Sequence, residues 1–302
     1  MKLLPETRIF SLGRWAVLQA GVDLESLPPG KMAILLAYLT LERDRVHARD
    51  QLAPMFWPDQ PLKSARNNLR QSLHQLRRAL EPKGAEVPLF EATRQTVTIH
   101  PEFPVWIDAA EVRGLPEDCA ALDSPPRNCR HCLPELERRA ELYRGPFLQG
   151  MEPREEQEDL ADWLHAQREH AHQQALTLLD RAAACRQALG APELGLGHAR
   201  RALDLDPCGE MAHRRVMELL ADMGRIQNAL QQYGSCERLL ARELGVDPEP
   251  ATRALARDLR DRAEQVPERG PERSSGPEPG RQQVTVLALR ARKPAGTDPE
   301  EQ

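Results

Sequence analysis

The stretch from Leu62 to Leu80 carries the side chains of this sequence that are best suited to binding chemistry. Its apolar residues recur three or four positions apart, so on a helix they form one apolar stripe: Leu62, Ala65, Leu69, Leu73, Leu76 and Leu80. Basic and polar residues occupy the rest of the surface, and we call them the basic face: Lys63, Arg66, Asn67, Arg70, Gln71, His74, Arg77 and Arg78. From Gln60 to Leu80 there are five Lys or Arg residues and no Asp or Glu. A solvated helix face usually mixes both charge signs, so this pattern favours a negatively charged partner.

The residue types of the basic face match the chemical groups of DNA. Arg and Lys suit phosphates and guanine edges, whereas Asn and Gln can pair with adenine through two hydrogen bonds. Four residues near the centre of the polar side are placed to reach base edges: Asn67, Gln71, His74 and Arg78. Arg66 and Arg77 lie closer to the apolar stripe, where the DNA backbone should pass, and Arg70 lies between the two groups. The alternative is an exposed basic helix that binds nothing, and the neighbouring elements bear on that choice.

Two helices are predicted before the basic helix. Residues 31–41 have the apolar spacing of a buried helix, and residues 49–56 form a second, shorter one. Trp57-Pro58-Asp59 then breaks the chain before Leu62. Short strand-like runs at residues 8–10 and 15–19 come ahead of the first helix.

A hairpin is predicted after the basic helix, with strands at residues 89–92 and 97–99. Its tip, Thr93-Arg94-Gln95-Thr96, is polar and basic, and Arg94 and Thr96 join the candidate DNA-binding residues. Strands, three helices and a terminal hairpin form a winged helix-turn-helix, an α+β domain that we assign to residues 1–112. In this fold the third helix enters the major groove and the hairpin is the wing.

Three motifs of this domain occur together: Leu35-Leu36-Ala37-Tyr38-Leu39, Trp57-Pro58-Asp59 and Ala65-Arg66-Asn67-Asn68-Leu69-Arg70. With them, the first part of the chain resembles the DNA-binding half of the SARP-type transcriptional activators. The resemblance implies a winged helix of the response-regulator type. It also implies binding to direct repeats as a side-by-side pair, and recruitment of RNA polymerase.

The second part of the chain is predicted to be all helical and repetitive. Gly190 and Gly224 are 34 residues apart, as are Leu196 and Leu230, and this is the tetratricopeptide period. Stacked helix pairs of this kind leave a concave surface for a protein partner, or act only as a rigid spacer. The stretches 142–148 (LYRGPFL) and 244–248 (LGVDP) resemble the bacterial transcriptional activator domain of the same family. We assign residues 133–263 to this domain and residues 113–132 to a connector.

The distribution of charge is more informative than its total. The net charge of −5 by itself argues against nucleic acid as a partner. Residues 1–112, however, hold 14 basic and 13 acidic side chains, whereas residues 113–302 hold 27 and 33. The acidity therefore lies in the second part, and positive charge concentrates on one helix of the first. No apolar run approaches the roughly 20 residues that span a bilayer, so we expect a cytoplasmic protein without membrane contact.

The cysteines give one metal-like spacing, Cys129-Arg130-His131-Cys132, with Cys119 upstream. Zinc would need two further ligands, and Cys119 and His131 are the candidates. His131 lies inside the loop between the two cysteines, where it is poorly placed to bind the same ion. We therefore favour the interpretation that these cysteines are free thiols in a connector, and we assign no metal site. The sequence contains no phosphate-binding loop, dinucleotide fingerprint or nucleophile elbow. We therefore predict no catalysis and no cofactor.

The composition changes from Gln265 onward. Residues 267–280 (PERGPERSSGPEPG) are rich in Pro, Gly and charge, which is typical of a disordered linker. Residues 283–289 (QVTVLAL) then read as a strand that weakly resembles the opening strand of class III nucleotide-cyclase-like domains. We expect residues 264–302 to be a linker and the start of a possible further domain.

Taken together, the sequence predicts a mainly α protein with a winged helix-turn-helix followed by a tetratricopeptide-like domain. Its predicted function is that of a sequence-specific transcriptional regulator, an activator, that binds double-stranded DNA and associates with itself there. One alternative is a helical-repeat scaffold whose winged helix binds no specific DNA. The other is a regulatory arm of a larger cyclase- or ATPase-type signalling protein.

Overall fold

The computed structural model describes residues 6–115 and 129–265. The amino-terminal part contains seven strands in this range: β1 (Thr7–Phe10), β2 (Ala16–Gln19), β3 (Val22–Asp23), β4 (His47–Ala48), β5 (Phe90–Ala92), β6 (Thr96–Ile99) and β7 (Val105–Ile107). They form a four-stranded sheet of order β3-β2-β1-β7 and a three-stranded sheet of order β4-β6-β5. Strand β7 pairs in parallel with β1, opposite the antiparallel β2, so the end of this part returns to its beginning.

Four helices belong to the same part: α1 (Lys31–Leu41), α2 (Arg49–Phe56), α3 (Leu62–Leu80) and α4 (Asp108–Val112). Helix α1 is buried along most of its length, as its apolar run predicts. Helix α3 is strongly one-sided, because Ala65, Leu69, Leu73, Leu76 and Leu80 are buried and its polar residues face outward. Leu62 is the exception in the predicted stripe, since it is 45% exposed. This arrangement of helices and hairpin is the predicted winged helix-turn-helix.

The second part consists of six helices in the described range: α5 (Cys129–Leu142), α6 (Glu158–Ala188), α7 (Pro192–Leu205), α8 (Glu210–Asp222), α9 (Ile226–Glu243) and α10 (Pro250–Gln265). The pairs α6–α7 and α8–α9 each turn at a glycine, Gly190 and Gly224, with φ of +73° in both. Only glycine adopts this left-handed conformation without strain, which explains why the 34-residue period is visible in the sequence. The tetratricopeptide-like prediction is confirmed.

The two parts meet at a buried carboxylate. Asp108, at the start of α4, is fully buried and accepts hydrogen bonds from the Ser11 amide (2.8 Å), the Ser11 hydroxyl (2.6 Å) and the Leu12 amide (3.2 Å). Arg144 of the second part donates to the same carboxylate at 3.1 Å. Burial raises the pKa of Asp108 above its ordinary value, although these donors act in the opposite direction. One side chain therefore joins the end of β1 to the segment that follows α5.

Backbone hydrogen bonds and aromatic packing extend this contact between the two parts, which we call the joint. Leu12 and Phe147 form a β-bridge, and the Leu148 amide donates to the Ser11 carbonyl at 2.7 Å. The ring of Trp163, in α6, lies 4.8 Å from that of Tyr38 in α1 and 5.8 Å from that of Phe147. One buried apolar cluster consequently runs from the winged helix into the helical part.

Three predictions concern residues outside the described ranges. They are the metal-like position of Cys119, most of the connector, and the linker and strand predicted after Gln265. Within the described ranges, no helix is both long and apolar enough to cross a bilayer.

Candidate nucleic-acid interface

The structure places the predicted DNA-binding residues on one outer surface of the winged helix. Most of them are exposed: Lys63, Arg66, Asn67, Arg70, Gln71, His74, Arg78 and Arg94. Arg77 and Thr96 are half-buried. The leucine stripe of α3 fixes this orientation, because burying the stripe in the core turns the opposite side of the helix to solvent.

A concave basin of about 940 Å³ lies between the amino-terminal half of α3 and the wing tip, residues 93–96. The side chains that line it are Arg49, Gln60, Lys63, Ser64, Arg66, Asn67, Asn68, Arg70 and Arg94. Five of these are cations and none is a carboxylate. A concave surface with one sign of charge concentrates the electrostatic field and attracts ions of the opposite sign. The other predicted residues of α3, Gln71, His74 and Arg78, continue the basic face beyond the basin.

Arg49 is a basin residue that the sequence did not indicate. Its amide donates to the Gln95 carbonyl at 2.8 Å and its Nε to the Thr96 carbonyl at 3.3 Å, so it ties the start of α2 to the wing tip. Burial, and then the nearby Arg77 cation, lower its pKa. Arg49 and the wing tip are more than 40 positions apart in the sequence, and only the pairing of β4 with β6 brings them together. Gln60, Ser64 and Asn68 also line the basin and were not predicted.

Two side-chain contacts organise the wall that α3 contributes to the basin. Nε and Nη2 of Arg66 donate to the two carboxylate oxygens of Asp50, which lies in the first turn of α2. One turn along, Nη2 of Arg70 donates to Oδ1 of Asn67 at 2.8 Å. The amide of Asn67 and the rest of the Arg70 guanidinium remain available to a ligand.

Arg77 is held by the protein more fully than the rest of the basic face. Its Nη2 donates to the Phe90 carbonyl at 3.0 Å, its guanidinium lies 5.8 Å from the centre of the Phe90 ring, and its Nε is 3.5 Å from Glu81. These contacts join the carboxyl end of α3 to the first strand of the hairpin. A contact with the DNA backbone stays a prediction for this residue.

The wing tip is closed by its two threonines. The Thr93 hydroxyl accepts the amides of Gln95 (3.1 Å) and Thr96 (2.9 Å), and it lies 2.8 Å from the Thr96 hydroxyl. The Thr96 hydroxyl is thus engaged within the turn, whereas the Arg94 side chain extends into the basin. The wing tip is a preformed loop that presents a cation.

No metal centre accompanies this surface in residues 6–115 and 129–265, where no three His, Cys, Asp or Glu side chains are grouped to hold an ion. Cys132 is buried in the apolar cluster that both parts share. Cys119 and the Cys129 side chain lie outside the described residues, so the metal-like spacing stays untested.

Comparison with known proteins identifies the helical part. Residues 108–260 match the model of the bacterial transcriptional activator domain, which is half of the chain. The chain belongs to this family. With the winged helix in front of that domain, it has the architecture of a SARP-type transcriptional activator, as the sequence motifs predicted.

The fold of the chain also resembles a solved structure, Mycobacterium tuberculosis EmbR in complex with a low affinity phosphopeptide. The two share 21% sequence identity with a TM-score of 0.66. The match covers 85% of this chain but 65% of EmbR, so the chain spans about two thirds of that structure's length. No curated protein matches the sequence.

The activator domain contains a cavity of its own, of about 410 Å³, between α6, α7, α8 and the end of α9. Three exposed apolar side chains border it, Met211, Leu244 and Val246. Most of its charged side chains are bonded within the chain: Asp180 accepts from Arg215 at 2.8 Å and Glu249 from Arg214 at 3.0 Å. The structure gives the 142–148 motif a role, since Arg144, Phe147 and Leu148 contact the winged helix.

Proposed function

We propose that this transcriptional activator binds double-stranded DNA through its winged helix, with α3 in the major groove and the wing tip at the neighbouring backbone. The observation that carries the proposal is the basin, which collects five cations from α2, α3 and the wing tip and contains no carboxylate. DNA presents a continuous row of phosphates, and a cationic concavity beside an exposed helix complements that row. The net charge of the whole chain is negative, so the positive surface is local to this side of the molecule.

Within this surface we assign two kinds of contact. Asn67, Gln71, His74 and Arg78 read base edges, because they lie along the outermost line of α3. Lys63, Arg66, Arg70, Arg77 and Arg94 contact phosphates from both sides of the groove, and Thr96 supports the wing tip. The basin adds Arg49 to the phosphate contacts.

We further propose that two molecules bind side by side on direct repeats and that the activator domain contacts RNA polymerase in the cytoplasm. Both proposals rest on the family, whose regulators act at promoters. Side-by-side binding puts both recognition helices on one face of the duplex, so the repeat centres should be about 10–11 base pairs apart. Inserting five base pairs turns one site to the opposite face, and affinity should then fall to that of a single site.

The proposal is tested by selecting duplexes from a random library with the purified chain. Enrichment of a repeated motif is expected. Asn67→Ala should then weaken binding to the selected duplex by about 1–3 kcal/mol and leave a scrambled duplex little affected. Lys63→Ala should weaken both duplexes and reduce the salt dependence by about one ion.

The opposite results have clear meanings. Equal losses on both duplexes for Asn67→Ala would show that this face does not read bases. An absence of enrichment, together with the isolation of a stable protein partner, would favour the scaffold. Activity of a larger signalling protein would depend on residues beyond this chain.

A further inference from the structure

Asp50 is an acidic residue at the edge of an otherwise basic surface. It lies in the first turn of α2, where a carboxylate often caps the helix, yet this helix has no side-chain capping hydrogen bond. Both of its oxygens instead accept hydrogen bonds from Arg66 of α3. The pair is about half exposed on each side, with 50% of the Arg66 and 58% of the Asp50 side chain accessible. Exposed ion pairs contribute little to folding, so stability alone does not account for this contact.

The two partners differ in their relation to the basin. Arg66 lines the basin, whereas Asp50 does not. The carboxylate therefore holds the guanidinium from outside the cavity. It uses Nε and Nη2 of Arg66 and leaves the edge formed by Nη1 and the second N–H of Nη2. That edge is a flat pair of donors, which matches two acceptor atoms side by side.

The neighbouring residue makes the same kind of link on the other side. Arg49 donates from its amide to the Gln95 carbonyl and from its Nε to the Thr96 carbonyl. The first two residues of α2 thus reach both walls of the basin, the wing tip through Arg49 and α3 through Asp50. One short helix therefore contacts both walls of the basin.

We propose that Asp50 is a positioning residue, which orients Arg66 so that the free edge of its guanidinium meets a pair of acceptors on DNA. Two phosphate oxygens are the expected acceptors, in line with the phosphate contact assigned to Arg66 above. N7 and O6 of a guanine offer the same geometry, and the test below distinguishes the two. The inference rests on the proposed function, since it assigns a role within the DNA interface. It has an unusual consequence: removing a negative charge close to DNA should weaken binding rather than strengthen it.

The test compares Asp50→Asn, Arg66→Ala and the double variant of the full chain on selected and scrambled duplexes over a range of salt concentrations. Asp44→Asn is the matched control, because Asp44 is an exposed carboxylate of the same domain that makes no ion pair with the described residues. Asp50→Asn should weaken binding about tenfold, the size of one well-placed charged hydrogen bond. Asp44→Asn should leave binding unchanged or slightly tighter. A loss on both duplexes identifies phosphate as the acceptor, and a loss on the selected duplex alone identifies guanine.

The double variant shows whether Asp50 acts through Arg66. If it does, Asp50→Asn causes no further loss in the Arg66→Ala background. A full additional loss there, or tighter binding by Asp50→Asn alone, would overturn the proposal, and the second result would show that Asp50 competes with DNA. A nuclear magnetic resonance measurement on the free chain gives an independent readout. The Arg66 Nε–H signal should be protected from exchange in the wild type and should lose that protection in Asp50→Asn.

Failure of this inference is distinguishable from failure of the proposed function. Tight binding by the wild type, weaker binding by Arg66→Ala and wild-type binding by Asp50→Asn would overturn the role of Asp50 alone. A wild type that enriches no duplex would overturn both. Unfolding temperatures of all variants should agree closely, and a large drop for Asp50→Asn would instead indicate a structural residue.

Discussion

Arg77 shows how a residue of the basic face can serve the fold as well as the interface. The side chain of its neighbour in sequence, Arg78, is exposed and makes no hydrogen bond or ion pair with the described residues. Arg77 donates to the Phe90 carbonyl and lies over the Phe90 ring, so it connects α3 with the hairpin. The helical periodicity places the two arginines side by side on the helix surface. Their roles differ because the hairpin packs against Arg77 and not against Arg78.

We expect Arg77→Ala to lower the free energy of unfolding by about 1–2 kcal/mol, because the Phe90 carbonyl loses its donor and the ring loses a cation. Arg78→Ala is the matched control and should change stability by less than about 0.5 kcal/mol. Urea unfolding followed by circular dichroism measures both. Equal stability of the two variants would contradict the structural role of Arg77.

Asp108 should give the chain a characteristic dependence on pH. Burial raises its pKa above the ordinary 3.8, so the folded protein holds this proton more tightly than the unfolded chain does. The resulting stabilisation is fully present below the unfolded-state pKa and is lost as pH rises through the folded-state pKa. Asp108→Asn does not titrate, so the stability of the wild type relative to this variant should fall as pH rises above about 4 and then level off. A relative stability that increases over this range would show that the donors from Ser11, Leu12 and Arg144 outweigh burial.

The turn glycines of the helical repeats can be compared with a glycine inside a helix. Gly190 and Gly224 have φ of +73°, and a Cβ atom at either position would meet nothing within 4 Å. An alanine there is opposed by backbone strain alone, so Gly224→Ala should cost about 1 kcal/mol. Gly197 lies within α7 and also has open space, but its backbone is helical, so Gly197→Ala should stabilise by about 0.5–1 kcal/mol. Opposite signs in thermal unfolding are the expected result, and a stabilising Gly224→Ala would contradict it.

The elements that the sequence predicts well are those with local signals. The bounds of α1, α2 and α3 agree with the predicted helices because an apolar run, a breaking turn and an amphipathic stripe all act within a few residues. The hairpin was also predicted, to within one residue at each strand. The parallel pairing of β7 with β1 and the short strands β3 and β4 were not predicted, since they depend on partners distant in the chain.

The same distinction explains what could be predicted of the candidate site. The basic face of α3 follows from periodicity and residue type, and in the structure all of its members except the half-buried Arg77 are exposed. Arg49 and Asp50 carry no comparable signal, because their roles come from contacts with the wing tip and with Arg66. The contact between Trp163 and Tyr38 likewise joins residues more than 120 positions apart, so it could not be inferred without the fold.

The contacts between the winged helix and the helical part predict how the two parts should behave when they are separated. Residues 1–112 contain their own helices and hairpin, so we expect them to fold alone, and residues 133–263 should give a strongly helical spectrum. The isolated winged helix should nonetheless unfold at a lower denaturant concentration than the full chain, because Leu12 and Tyr38 lose the cover of Phe147 and Trp163. Denaturant titrations of both fragments and of the full chain check this. An unfolded first fragment would show that the boundary at residue 112 is wrong.

The buried carboxylate at the joint also bears on how this regulator can be re-engineered. One way to build a chimeric activator is to exchange a whole domain at its boundary, which treats the two domains as independent. Here such an exchange would pair Asp108 and the Ser11 backbone with a foreign partner lacking Arg144 and Phe147, and would leave a charge in apolar surroundings without its counter-ion. To change the DNA sequence that is bound, only the exposed side chains of α3 and of the wing tip should be replaced, and the rest of the chain should be kept. The contacts between the two domains then stay intact, while the DNA sequence that is recognised changes.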